Sequence, residues 1–208
     1  MEERIIHPEW ITLRIYGRLH VGYDQDWYPE KWQQLAGCGP TAGTVMAAYI
    51  ERKQRRLAIH TVEEARKKMM DLWPYATPRM HGLYKTRWLR EGLEAYLRDQ
   101  GLAGKVEALS VPSIRFLAPK LPEAAAFIRE GLAADCPIGF LNLHSGGEPI
   151  PYHWHWMVIV GIREEKGQFF CRFWDSGKEY TFNLGNWIAN TRFGGGFVRA
   201  LETGRTKE

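Results

Sequence analysis

Gly37-Cys38-Gly39-Pro40-Thr41-Ala42 opens the strongest helical pattern in the chain. Pro is favoured in a first helical turn, where its missing N–H costs nothing. Ala42, Val45, Met46, Tyr49 and Ile50 then recur on one face at helical spacing. Upstream, a polar, aromatic loop is expected from Gly22 to Gly37. Before it, residues 11–16 (Ile-Thr-Leu-Arg-Ile-Tyr) alternate apolar and polar like a half-buried strand. Downstream, Thr61-Val62-Glu63-Glu64 is a capping box that predicts a second helix running to Trp73 and ending at Pro74. Further helices are expected over about 86–100, ended by Gly101, and over about 121–134, begun by Leu121-Pro122-Glu123.

Beyond these helices the texture changes. Pro137 to Leu143, Trp154 to Ile162, Gln168 to Trp174, Glu179 to Phe182 and Phe197 to Leu201 are rich in β-branched and aromatic residues and punctuated by Gly, which predicts strands. Helices mostly first and strands mostly later predict an α+β fold with an antiparallel sheet. A single domain over 1–208 is expected, mainly helical over about 20–135 and mainly β over about 136–203. At 208 residues, with 45% hydrophobic and 25% charged, the chain is neither disordered nor fibrous and can bury one substantial core.

The formal charge of +4 is spread along the chain. Its one cluster, Arg52-Lys53-Gln54-Arg55-Arg56, reads as a solvated helix end, and no basic stripe with interleaved aromatics suggests a nucleic-acid partner. No apolar run reaches the length of a membrane span, and Met1-Glu2-Glu3-Arg4 does not start like a signal peptide. The expected location is therefore cytoplasmic. Three widely separated cysteines, Cys38, Cys136 and Cys171, fit free thiols in a reducing compartment better than a disulfide framework.

Cys38 is the cysteine whose context suggests chemistry. Gly37 and Gly39 allow close backbone approach, and the partial positive charge of a helix N-terminus favours thiolate over thiol. A thiolate at neutral pH is the nucleophile that acyl transfer requires; the alternative is a small buried residue at a helix cap. Cys136, at a helix-to-strand junction, and Cys171, in an apolar strand, read as packing residues. Of seven histidines, His153 and His155 stand at the entry to the strand Met157-Val158-Ile159-Val160-Gly161 and would share a face if the strand includes both. His155 directly precedes the apolar run and is the preferred base. Asp175, twenty residues later, ends the next strand, and a hairpin would bring it beside His155. The alternative for Asp175 is an ordinary residue starting a Gly-containing turn.

Gly37-Cys38-Gly39-Pro40-Thr41-Ala42, His155-Trp156-Met157-Val158-Ile159-Val160-Gly161 and Trp174-Asp175-Ser176-Gly177, in that order, resemble the papain-like cysteine peptidases. The most similar branch is the bacterial one that includes the double-glycine leader peptidases, and the resemblance covers about residues 20–190. It implies a papain-like fold, with a helical N-terminal lobe whose nucleophile helix packs on a C-terminal antiparallel sheet. It also implies a Cys38 nucleophile, a His155 base and acid, an Asp175 orienter and a peptide or amide substrate. A Gln before the cysteine would help hold the oxyanion. Gln25, in Tyr23-Asp24-Gln25-Asp26-Trp27, matches that branch best, with Gln33 and Gln34 as alternatives.

Other functions stay open on the same residues. A papain-like module that binds without catalysis, or an acyltransferase or transpeptidase, would carry the same pattern. His153 and His155 with His144 or Cys171 contain zinc-ligand types, but no compact CxxC or HExxH spacing supports a metal site. No cofactor is expected. The loop from Asn142 to Pro151 is either a cleft wall or a plain connection.

Overall fold

A computed structural model describes residues 2–202; Met1 and 203–208, the outermost parts of the expected domain, lie outside the described residues. The strands are β1 (Glu2–Arg4), β2 (Thr12–Ile15), β3 (Arg18–Val21), β4 (Lys105–Val111), β5 (Ile138–Asn142), β6 (His155–Glu165), β7 (Gln168–Asp175), β8 (Lys178–Asn183) and β9 (Gly195–Leu201). The helices are α1 (Lys31–Ala36), α2 (Cys38–Arg55), α3 (Val62–Leu72), α4 (Thr86–Asp99), α5 (Leu121–Ala133) and α6 (Leu184–Asn190).

The fold is α+β. Its seven-stranded sheet has the order β4-β9-β5-β6-β7-β8, with β1 also pairing with β6, and every pairing is antiparallel. β5 pairs with β6 as far as Ile159, and β1 takes over from Gly161 to Arg163. The large sheet also takes β1 from ahead of the expected mainly helical stretch and β4 from within it. A separate two-stranded hairpin, β2–β3, turns at Tyr16-Gly17, whose φ of 47° and 78° suit a tight hairpin.

α2 crosses one face of the sheet over β6 and β5, flanked by α3 and α4, while α5 and α6 lie on the other. β5 shows why both faces are covered. A Cβ on Gly139 would lie 3.0 Å from Met46 of α2, whereas Phe140 stacks on Phe182 and Phe197 and meets Trp187 of α6 edge-on. Ile138 to Asn142 are all buried. Consecutive side chains of a strand point to opposite faces, so a strand covered on both sides reads as a continuous apolar run.

The apolar stripe of α2 is wider in the fold than in the sequence. Residues Gly39 through Glu51 are all buried. Gly43, Thr44, Ala47 and Ala48 are small enough for neighbours to close on the other faces, and Leu72 and Leu89 pack against Gly43. The basic cluster forms the last turn of α2, which closes at Arg56 in the left-handed region. At α3 the capping box is present: Thr61 Oγ1 accepts from the Glu64 N–H at 3.2 Å, and Glu64 accepts from the Thr61 N–H at 3.1 Å. Among the described residues, no helix is long and apolar enough to cross a membrane.

Candidate active site

Cys38 is the first residue of α2 and is half-buried. The chain enters through Gly37, where a Cβ would lie 2.3 Å from the Gln33 carbonyl oxygen and 2.6 Å from the Tyr28 ring. A side chain at Gly39 would meet Leu83 at 2.7 Å. Both glycines are therefore required by close packing, which sets the height of the cysteine above the sheet.

His155 is the first residue of β6 and Asp175 the last of β7. β7 pairs with both β6 and β8, and this hairpin closure brings the two side chains together. His155 Nε2 lies 2.8 Å from Asp175 Oδ1, which leaves Nδ1 for Cys38. The Asp175 carboxylate is buried, and its Oδ2 has no hydrogen-bond partner among the described residues. Its charge is thus directed through Oδ1 toward the ring, with Ser176 Oγ at 3.5 Å as a lesser partner. The Asp-in-a-turn reading also holds, since Ser176 and Gly177 form the tight β7–β8 turn at φ 47° and 79°.

The electrostatics of the pair follow from this arrangement. Burial pushes the Cys38 thiol up. The hydrogen bond and charge of His155, with the backbone N–H groups of Trp156 and Gly39, more than reverse this, so the thiol is lowered. Burial likewise disfavours imidazolium, yet the hydrogen bonds to Asp175 and Cys38 and the two opposite charges raise His155 to about 10. The helix N-terminus adds to the stabilisation of the thiolate. Cys136 and Cys171 are buried, and burial pushes both thiols up.

His153 does not share the face of His155. β6 begins only at His155, and Trp154 takes a left-handed φ of 54°, which breaks the strand geometry one residue earlier. His153 instead lies 3.0 Å from Ser145 Oγ and against the His144 ring. Among the described residues, no three His, Cys, Asp or Glu side chains are grouped to hold a metal ion.

Of the three glutamines, Gln25 lines the groove with Cys38 and His155. Its Nε2 donates to the Gln34 carbonyl at 2.7 Å, which fixes the amide orientation and leaves a second N–H. Gln33 is buried; its Oε1 accepts from the Glu30 N–H and its Nε2 faces Met70. The Gln34 amide donates to the Asp26 and Tyr28 carbonyls. The supposed loop before Cys38 is thus partly helical: a 3₁₀ turn at Gln25–Trp27 presents Gln25, and α1 leads into α2.

The groove of about 400 Å³ is also lined by Asp24, Asp26, Leu35, Tyr152, His153, Trp154 and Ser176. It carries two carboxylates and no Lys or Arg, in a chain of net positive charge. Residues 142–151 do not line it. That loop is held elsewhere: the Asn142 side chain donates to the Tyr152 carbonyl at 2.7 Å, and Thr191 Oγ1 donates to the His144 carbonyl at 2.7 Å.

Two features of the site carry no local sequence signal. Trp156 Nε1 donates to the Leu83 carbonyl at 2.5 Å, tying residues 81–84 to the floor of the site. Trp154 lines both the Cys38 groove and a neighbouring cavity whose other lining residues are His81 and Tyr84. No family model matches the chain, and no curated protein matches it.

Proposed function

We propose that this chain is a papain-like cysteine peptidase or related amide hydrolase, with Cys38 as nucleophile, His155 as acid and base, Asp175 as orienter and Gln25 as oxyanion donor. The observation that carries the reading is the position of His155, bonded to a buried carboxylate on one side and facing Cys38 on the other. That arrangement lowers the thiol and raises the imidazole together, the condition for a resting thiolate–imidazolium pair.

In the reaction, the Cys38 thiolate attacks the substrate carbonyl carbon. The carbonyl oxygen becomes an oxyanion, held by the Cys38 backbone N–H at the helix start and the free N–H of Gln25. His155 gives its proton to the departing amine as the C–N bond breaks, leaving a thioester on Cys38. Neutral His155 then takes a proton from water, whose hydroxide attacks the thioester. The second tetrahedral intermediate expels Cys38 thiolate and releases the carboxylic acid, and His155 is again imidazolium. Asp175 holds the ring in the tautomer and orientation that both half-reactions use.

Incubation with a mixed peptide library, followed by mass spectrometry of the products, tests this reading. Wild-type protein should produce new peptide termini, and Cys38→Ala and His155→Ala should produce none. Ligated rather than hydrolysed products would move the assignment to acyl transfer. No turnover, together with Cys38 labelling like an ordinary thiol, would leave a silent binding module.

A further inference from the structure

Resting on the reading of Cys38 as nucleophile and Gln25 as oxyanion donor, we infer that His20 is a positioning residue that braces the turn carrying Gln25 against the turn carrying Asp175. His20 does not line the Cys38 groove, so it acts through these two turns and not on the substrate.

The two turns come from distant parts of the chain. Gln25 opens the 3₁₀ turn Gln25–Trp27, capped by Asp24, whose carboxylate accepts from the Asp26 N–H at 3.0 Å. Asp175 ends β7 immediately before the Ser176-Gly177 turn. An attacked carbonyl must meet both sides at once, its oxygen at the Gln25 amide and its leaving nitrogen at the ring that Asp175 orients. The separation of the two turns is therefore a catalytic dimension. A misplacement of about 1 Å in such an arrangement costs on the order of a hundredfold in rate.

His20 contacts both turns. Its ring closes on Gly177, where a Cβ would fall 2.5 Å from Cδ2 and 2.6 Å from Nε2. Gly177 is thus required twice, by that close approach and by its φ of 79°. On its other side, His20 Nδ1 donates to the Gly22 carbonyl at 3.3 Å, and Nε2 lies 3.9 Å from the Asp24 carboxylate. The ring also packs on Trp27, with centroids 5.0 Å apart. Asp24 and Trp27 are the cap and the last residue of the turn that presents Gln25.

The brace has a firm mount. His20 belongs to β3 and pairs with Leu13 of β2, and the next residue, Val21, bridges antiparallel to Gly177. That bridge holds the β2–β3 hairpin to the Asp175 turn, and the His20 ring extends the hold to the Gln25 turn. Removing the ring takes away the contact between the two turns without altering any group that reacts.

The test compares His20→Ala and His20→Asn with wild type. Asn places its side-chain nitrogen and oxygen where His has Nδ1 and Cδ2, so it keeps the donor to Gly22 and the atom nearest Gly177. With a peptide that the wild type cleaves, His20→Ala should lower kcat per folded molecule at least about tenfold and leave KM within about twofold, because position in the transition state is what it loses. His20→Asn should return kcat to within about threefold of wild type. A second readout does not depend on turnover. The His155 Nε2–H proton, identified by its loss in His155→Ala, should exchange with water faster in His20→Ala than in wild type, since Asp175 holds it less well. A role in folding alone would lower Tm and leave kcat per folded molecule and this exchange unchanged, which would overturn the brace. Asn no better than Ala would also overturn it. Faster exchange in His20→Ala, in a protein that cleaves no peptide and whose Cys38 labels like an ordinary thiol, would retain the brace and overturn the hydrolase reading.

Discussion

Replacing His155 by Ala isolates the contribution of the imidazole to the reactivity of Cys38. In the variant, burial still pushes the thiol up, and only the backbone N–H groups of Trp156 and Gly39 and the helix start oppose it. The size of the loss follows from the other partner. The rise of His155 from 6.5 to about 10 corresponds, at about 1.4 kcal/mol per tenfold, to roughly 5 kcal/mol of preference for the charged ring. On the thiol side, the hydrogen bond and charge of His155 help outweigh the burial penalty, and a hydrogen bond to a charged group is worth about 1.5–3 kcal/mol, which is about tenfold or more in thiolate population. The assay is the second-order rate of iodoacetamide labelling across the pH range, read by mass spectrometry of the Cys38 peptide. An ordinary thiol with a pKa of 9.0 is only about one part in a thousand ionised at pH 6, so activation is most visible there. A more acidic thiolate is also intrinsically less nucleophilic, with a Brønsted slope of about 0.4–0.5, so the rate gain is smaller than the ionisation gain. Wild-type Cys38 should label about tenfold or more faster than a free thiol at pH 6, and His155→Ala should remove most of that gain. Cys136 and Cys171, both buried, should stay unlabelled in the folded protein. A His155→Ala protein that labels as fast as wild type at pH 6 would refute the reasoning.

Three further outcomes are expected. Gln25→Ala should lower kcat about a hundredfold with little change in KM, because an oxyanion donor acts mainly in the transition state; an unchanged kcat would remove Gln25 from the hole. Gly37→Ala should destabilise the fold by about 1–3 kcal/mol, since the new methyl meets a backbone carbonyl at 2.3 Å, and calorimetry should show a Tm lower by about 2–4 °C per kcal/mol. Stability should also follow the charged pair. The raised His155 stabilises the fold fully below about 6.5 and loses that contribution as pH rises through about 10, while the lowered Cys38 contributes above 9.0 and loses it as pH falls through its folded value. Urea titrations should therefore show unfolding free energy declining above about pH 9, and His155→Ala should flatten that decline.

The parts of the fold written locally were legible. α2 and α3 announce themselves through Pro40 in a first turn, apolar residues at helical spacing and a Thr61–Glu64 box, all interactions within one or two turns. The strands β5, β6 and β7 show as apolar runs where both faces of the sheet are covered. β1 and β4 were not legible. Three residues, Glu2–Arg4, form a strand only because β6 offers an edge beyond Ile159, and Lys105–Val111 carries Glu, Ala and Ser, weak strand formers that β9 nevertheless pairs. α6 is a seven-residue helix with a Gly and two Asn, held by the Asn183 cap and by Trp187 packing on Phe140.

The candidate site divides in the same way. Residue type and spacing singled out Cys38, His155 and Asp175, because a helix-start cysteine, a strand-entry histidine and a turn-starting aspartate are local patterns. The pairing of His155 with Asp175 and the preference for Gln25 were already expected from the sequence, whereas the tying of the Gln33 and Gln34 amides to other partners and the departure of His153 toward Ser145 arose only in three dimensions. Each depends on where a side chain's hydrogen-bond capacity is spent, which partners from other elements decide. The walls of the apolar cavity lie furthest from local reading. Tyr84 and Trp154 are 70 residues apart, and the chain's local preferences contain nothing about which distant segment will lie beside Cys38. Leu83 packing on Gly39 and accepting from Trp156 settles it, a tertiary contact between α2, β6 and the 81–84 segment.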